Sequence, residues 1–235
     1  MANEIKDLVC SYNLFNRTEK NFFLIDIWSI KAYKEDIRSY LSKEELFRLE
    51  KIESSKGKDL FLLRKGIVRI FLTSFFQTKD KVVSYNYNKY GKPYFSDSYY
   101  NDFSFNISHS KEYLFMGIIQ NCKLGVDIEK INYRLQNSFV IEDVLTRQEK
   151  EIYSCYGEEE KIKAFYKAWV QKEAVSKALG CGLSLGFNDF SVNINPNIAD
   201  EKYSLDLFGT NFKMRTKIDN SYILATAVNI GTREG

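Results

Sequence analysis

The chain contains a single histidine, His109, and that scarcity removes whole classes of chemistry. A multi-histidine zinc site and an HExxH metalloprotease centre both need more than one. The four cysteines, Cys10, Cys122, Cys155 and Cys181, are scattered with no CxxC pair, so neither a zinc cage nor a disulfide framework is indicated. Cysteine used in this way points to a reducing compartment, and a cytoplasmic location is expected. No apolar run is long enough to span a bilayer and the N-terminus lacks the apolar core of a signal peptide, so no membrane association is expected. There are only two prolines, Pro93 and Pro196, which together with 15% aromatic residues argues against long disordered linkers. Charge of one sign is also scarce: the net +3 is too small to imply nucleic-acid binding. What remains is ordinary globular composition, 44% hydrophobic and 28% charged over 235 residues, enough for one large domain or two small ones.

The stretch Lys123–Lys130 reads Lys-Leu-Gly-Val-Asp-Ile-Glu-Lys. Leu124, Val126 and Ile128 alternate, the period of a half-buried strand, and this puts Gly125, Asp127 and Glu129 on the opposite face. Carboxylates two residues apart on one strand face lie about 7 Å apart at ~3.3 Å rise per residue. Their repulsion at an effective dielectric near 20 is roughly 2 kcal/mol, which a cation would relieve. Gly125 leaves room for something bulky to approach the backbone. The stretch therefore reads as half of a divalent-metal site or as an ordinary strand with a solvated polar face.

Residues 1–20 are polar and mixed, a loosely docked end. Phe22–Ile30 reads as a buried strand. Ser42-Lys-Glu-Glu45 has the capping-box pattern and opens a helix carrying Leu46, Leu49 and Ile52 on its apolar face. A longer helix is expected from about Lys58 to Phe76, then a turn at Lys89-Tyr-Gly-Lys-Pro93 between extended segments. Phe103–Ser110 and Tyr113–Ile119 read as strands, and Asn137–Leu145 as a short helix. Thr146-Arg-Gln-Glu149 is a second capping box, and Glu160–Leu179 is a strong helix stopped by Gly180 and Gly182. The tail, Phe187–Ile194, Tyr203–Phe208, Phe212–Ile218 and Tyr222–Val228, reads as strands in a meander.

The two halves echo each other. Leu24-Ile-Asp-Ile-Trp28 resembles Gly125-Val-Asp-Ile-Glu129, and Leu41-Ser-Lys-Glu-Glu45 resembles Leu145-Thr-Arg-Gln-Glu149, each before a long aromatic-rich helix. An internal duplication about a pseudo-two-fold axis explains this, with a ligand cleft between the halves. Two unrelated strand–helix units would leave the same pattern.

In the second long helix Trp169, Glu173 and Lys177 are spaced by four and share a face. Glu173–Lys177 alone is a surface ion pair worth ~0.3–0.5 kcal/mol, but Trp169 on the same face asks for burial and suggests a cleft wall. If that wall faces Asp127 and Glu129, Glu173 completes a three-carboxylate oxygen site suited to Mg²⁺. His109 lies between Ser108 and Ser110, yet neighbours on a strand point to opposite faces, so a Ser–His hydrolase pair is disfavoured. Donors at such a strand end, and Lys92 held between Gly91 and Pro93, are candidates for phosphate oxygens.

Taken in order, Tyr90-Gly-Lys-Pro93, Phe105-Asn-Ile-Ser-His-Ser110, Gly125-Val-Asp-Ile-Glu129 and Trp169-Val-Gln-Lys-Glu-Ala-Val-Ser-Lys177, ending in Gly180-Cys-Gly182, resemble the phosphopantetheinyl transferases. The likeness is to their larger monomeric class, which activates peptide-synthetase carrier domains. It is close from Tyr90 to Val192 and only in outline before that. The resemblance implies an α+β fold of two similar α/β halves about a pseudo-two-fold axis, 1–104 and 105–235, with coenzyme A between them. It implies Mg²⁺ on Asp127, Glu129 and Glu173, with Ser108 and His109 contacting coenzyme A phosphates. Lys92 would serve the 3′-phosphate side and Lys177 the pyrophosphate. Arg48 matches one basic residue that helps hold the 3′-phosphate. The arginine expected near Leu60 or Phe61 is absent, with Lys58, Arg64 or Lys65 as substitutes. The expected enzyme moves phosphopantetheine from coenzyme A to a serine of an apo acyl or peptidyl carrier protein. Asp127, Glu173 and Lys177 are its catalytic residues and Glu173 its base. The alternatives are a silent carrier-binding module and a metal-dependent phosphohydrolase acting on coenzyme A.

Overall fold

The computed structural model describes residues 21–78, 83–133, 138–207, 209–219 and 221–232. The expectation for residues 1–20 lies outside these, as do Asn137 and Phe208. The chain is mixed α and β. Strand β1 (Phe22–Asp26) leads through a 3₁₀ segment into three helices, α1 (Lys34–Arg38), α2 (Lys43–Glu50) and α3 (Ser55–Phe75). A hairpin, β2 (Tyr85–Tyr87) and β3 (Pro93–Phe95), precedes three eight-residue strands, β4 (Phe103–Ser110), β5 (Tyr113–Gln120) and β6 (Lys123–Lys130). Helices α4 (Ser138–Val144), α5 (Arg147–Ser154) and α6 (Glu158–Leu179) follow, and β7 (Asp200–Leu207), β8 (Thr210–Ile218) and β9 (Tyr222–Thr232) close the chain.

The strands form two antiparallel sheets besides the hairpin, in the orders β1-β5-β4 and β6-β9-β8-β7. Helix α3 covers the first sheet, with Leu63, Ile67 and Phe71 against Phe23, Phe105 and Met116; the Phe23 and Phe71 rings lie 4.4 Å apart. Helix α6 covers the second, where Ala164, Ala168, Val175 and Ala178 meet Phe212, Ile223 and Ala225. A smaller cluster joins the sheets, Leu24 and Phe115 meeting Leu124, Val126, Ile128 and Leu224. The expected boundary at 104–105 falls inside β4, which pairs with β5, itself paired with β1. The first core therefore draws on residues from both sides of that boundary.

Two expected strands have other forms. Phe22–Ile30 is extended only to Asp26, because the Asp26 carboxylate accepts a hydrogen bond from Trp28 N at 2.8 Å and caps the 3₁₀ segment Ile27–Tyr33. Ile27 and Ile30 are buried all the same. Phe187–Ile194 joins no sheet, because polar side chains claim its backbone. Lys172 Nζ donates to Phe187 O (2.8 Å), Gln171 Nε2 to Asn193 O (2.8 Å), and Val192 N donates to Glu149 Oε1 (2.7 Å).

Both capping boxes are formed, at Ser42/Glu45 and Thr146/Glu149. Each glutamate is buried and also pairs with a cation on the next long helix. Arg69 of α3 reaches Glu45 with both Nε and Nη2 at 3.2 Å, and its Nη1 donates to Val83 O (2.5 Å). Lys172 of α6 reaches Glu149 at 2.5 Å and donates to Val144 O at 2.8 Å. A buried charge left without its partner would cost several kcal/mol, so each pair locks a long helix to the short helix before it. Among the described residues no helix is long and apolar enough to cross a membrane.

Candidate active site

Strand β6 is buried on both faces, not on one. Leu124, Val126 and Ile128 are fully inaccessible between the sheets. Each such burial stabilises by roughly 1.5–3 kcal/mol, and a one-residue slip would drive Asp127 into that cluster, so the register is firmly set. On the other face Gly125 admits the backbone of α6. A Cβ there would lie 1.9 Å from Ala174 O and 2.4 Å from Ala178 N. The bulky neighbour that this glycine makes room for is the helix itself. That approach brings Glu173 and Lys177 over Asp127 and Glu129.

The second organiser is β4, whose polar residues recur with period two. Ser104 Oγ accepts from Leu124 N (3.3 Å), and Asn106 Oδ1 accepts from Val126 N (2.9 Å). Ser108 Oγ donates to Asp127 Oδ1 (2.6 Å) and Ser110 Oγ to Glu129 Oε2 (2.7 Å); Ser110 Oγ also accepts from Lys130 N (3.0 Å). Side chains of β4 thus satisfy the edge of β6 that β9 does not pair, and they orient both carboxylates. Asn106 and Ser110 were not among the expected site residues. The alternation Ser104, Asn106, Ser108, Ser110 is the signal that would have found them.

Asp127 Oδ1 also receives Lys177 Nζ at 2.6 Å, and the same ammonium lies 3.1 Å from Ser108 Oγ. Asp127 Oδ2 is buried with no partner. Burial pushes the Glu173 carboxyl up to about 6, reinforced by the charges of Asp127 and Glu129 and opposed by Lys177. Burial also raises Glu129, aided by Asp127 and resisted by its Ser110 hydrogen bond. Among the described residues no three His, Cys, Asp or Glu side chains converge in a ready-made metal cage. Even so, one orphaned carboxylate oxygen and two carboxyls held above their ordinary range are what a hard cation would relieve. The oxygen donors fit such an ion.

His109 points away from Ser108, into a cleft of about 520 Å³ on the α3 side, lined also by Arg64, Lys65, Tyr85, Ile107 and Pro93. Burial lowers its pKa, with the charges of Arg64 and Lys177 acting in the same sense. Arg64 Nη2 donates to Lys111 O (2.8 Å) while its buried Nε has no partner. Lys65 Nζ lies 2.6 Å from Tyr87 Oη. Arg48 is exposed on α2 and is not part of this lining, whereas Arg64 and Lys65 are. A smaller cavity of about 90 Å³ shares Gly91, Pro93 and Ile107 with the cleft and is lined by both Lys92 and Lys177. Lys92 Nζ donates to Ala178 O at 2.7 Å, and burial lowers its pKa to about 8, with Lys123 adding to the effect. A cationic cleft thus leads to a carboxylate–lysine centre, an arrangement for holding a polyanion against a group that can take a proton.

Comparison with known proteins agrees with the motifs. Residues 123–227, from β6 through β9, match the family model described as the 4′-phosphopantetheinyl transferase superfamily. The matched span holds Asp127, Glu129, Glu173 and Lys177. Over that span the chain is similar to that superfamily, and the relatives it matches carry the same description. Its relatives include members of the larger class that the motifs resemble. The 4′-phosphopantetheinyl transferase Sfp of Bacillus subtilis is 27% identical over 74% of this chain and 74% of its own. HetI of Nostoc sp., another 4′-phosphopantetheinyl transferase, is 25% identical over 68% of this chain and 70% of its own. A Synechocystis sp. protein, provisionally named for the same activity, is 29% identical over 79% of this chain and 76% of its own.

Proposed function

We propose that this enzyme transfers the 4′-phosphopantetheine group from coenzyme A to a serine hydroxyl of an apo carrier protein, acyl or peptidyl. The observation that carries the reading is the juxtaposition, through Gly125, of Glu173 and Lys177 with Asp127 and Glu129, beside a cleft lined by Arg64, Lys65 and His109. The cleft suits the 3′-phosphate and adenosine end of coenzyme A, with cations on one wall and Tyr85 and Ile107 on another. In the smaller cavity that adjoins the cleft, Lys92 serves the 3′-phosphate side, and Lys177, paired with Asp127, serves the pyrophosphate.

In the reaction the carrier serine oxygen attacks the phosphorus bearing the pantetheine. The bond from that phosphorus to the bridging oxygen breaks, and 3′,5′-ADP leaves. Asp127, Glu129 and Glu173 would hold Mg²⁺, which when bound neutralises the pyrophosphate and the departing charge. Lys177 stabilises negative charge on the leaving oxygen, and Glu173 accepts the serine proton, directly or through water. Ser108 and Ser110 keep Asp127 and Glu129 oriented.

The parallel clamps Glu45–Arg69 and Glu149–Lys172 support reading the two halves as an internal duplication about a pseudo-two-fold axis, with coenzyme A between them. The function is tested by incubating the protein with coenzyme A, Mg²⁺ and a panel of apo-carriers, followed by intact mass. The expected result is a rise of one phosphopantetheine unit with release of 3′,5′-ADP. Cleavage of coenzyme A at equal rate without carrier would mean a phosphohydrolase, and carrier binding without a mass change a silent module.

A further inference from the structure

We propose that Asn88 is a positioning residue that staples the Tyr90–Pro93 turn to the C-terminus of α6 and so fixes Lys92 at the cavity it shares with Lys177. The proposal rests on the coenzyme A reading above. Asn88 precedes the motif and makes both of its attachments. Its Oδ1 accepts from Tyr90 N and from Lys92 N, each at 2.9 Å, and shapes the turn. Its Nδ2 donates to Gly180 O at 3.1 Å, across 92 residues of sequence. The backbone closes the same turn, Asn88 N donating to Lys92 O (2.9 Å) and Gly91 N to Asn88 O (3.0 Å).

A helix C-terminus leaves carbonyls without intrahelical donors and carries partial negative charge. Helix α6 ends at Gly180 in the left-handed conformation, φ 74°. Two of the carbonyls there are answered by this turn, Gly180 O by Asn88 and Ala178 O by the Lys92 ammonium. The packing is close. A Cβ on Gly180 would lie 3.2 Å from Lys92 Cδ and 3.4 Å from Asn88 Nδ2, and one on Gly182 would lie 3.3 Å from the Tyr90 ring. The pair Gly180 and Gly182 is therefore a seat for the turn as well as a helix stop.

Both lone pairs of Asn88 Oδ1 are used by the turn, so the residue acts through Lys92 and has no acceptor left for a ligand. An aspartate would retain the turn bonds but set a carboxylate against Gly180 O. A serine can shape such a turn but is too short to reach the helix.

The test compares wild type, Asn88→Ala, Asn88→Ser, Lys92→Ala and the Asn88→Ala/Lys92→Ala double variant. Coenzyme A binding is read by titration calorimetry, KM and kcat by carrier modification. Losing the bond to Gly180 O and the placement it secures should weaken coenzyme A binding about tenfold in both Asn88 variants. The loss should fall on KM, with kcat within about twofold. In the Lys92→Ala background the further loss from Asn88→Ala should shrink to about twofold or less, since residues that act as a unit are non-additive. Wild-type affinity in both Asn88 variants, or losses that multiply fully in the double variant, would overturn the proposal. Failure of the wild type to bind coenzyme A would instead overturn the functional reading, and this inference with it.

Discussion

Replacing Glu173 with glutamine should stabilise the protein in chelator at pH 8 while removing most of its activity. In the fold the Glu173 carboxyl is raised from 4.5 to about 6, by burial first and by Asp127 and Glu129 next. The folded state therefore holds the proton more tightly than the unfolded one. That advantage is fully present below about pH 4.5 and is lost as pH rises through about 6, beyond which the buried charge is a net cost. At roughly 1.4 kcal/mol per tenfold change in proton affinity, the cost above pH 6 is about 2 kcal/mol. Glutamine keeps the shape of the protonated side chain without that cost. The variant should thus exceed wild type by up to about 2 kcal/mol at pH 8, and the difference should shrink towards zero near pH 4.5. Urea unfolding in EDTA across this range measures it directly. Saturating Mg²⁺ should reverse the order, because wild type gains a stronger ligand set. Single-turnover transfer to a carrier should show kcat largely lost. A variant that is less stable than wild type at pH 8, or a difference that does not change with pH, would refute the electrostatic argument. Near-wild-type chemistry would remove Glu173 as the base.

Gly125→Ala should destabilise the fold by about 3 kcal/mol or more, because its methyl meets the Ala174 carbonyl and the Ala178 amide, backbone atoms that cannot swing aside. Urea unfolding checks it, and a loss under about 1 kcal/mol would mean that α6 does not press on β6 there. Lys92→Ala should weaken binding of coenzyme A more than of dephospho-coenzyme A, since a cation near the 3′-phosphate contributes only when that phosphate is present. Calorimetry with both ligands decides, and equal losses would leave Lys92 only its role in holding Ala178 O.

Local pattern was enough for much of this molecule. The alternation of Leu124, Val126 and Ile128, the capping boxes at Ser42 and Thr146, and the four-residue spacing of Trp169, Glu173 and Lys177 each follow from strand or helix periodicity, and the structure forms all of them. Those signals are local, so they survive in one dimension. The form of Phe187–Ile194 was not legible, because distant Lys172, Gln171 and Glu149 take its carbonyls and one of its amides. Nor does sequence say which cations face the cleft: α3 places Arg64 and Lys65 in its lining, while Arg48, which the resemblance offers for the 3′-phosphate, is exposed on α2. The sequence by itself determined which residue types stand at which spacing: two carboxylates on one strand face, a third with a lysine on one helix face. Only the tertiary structure decided that these faces meet. The reason is steric: the missing side chain at Gly125 lets the backbone of α6 close onto β6.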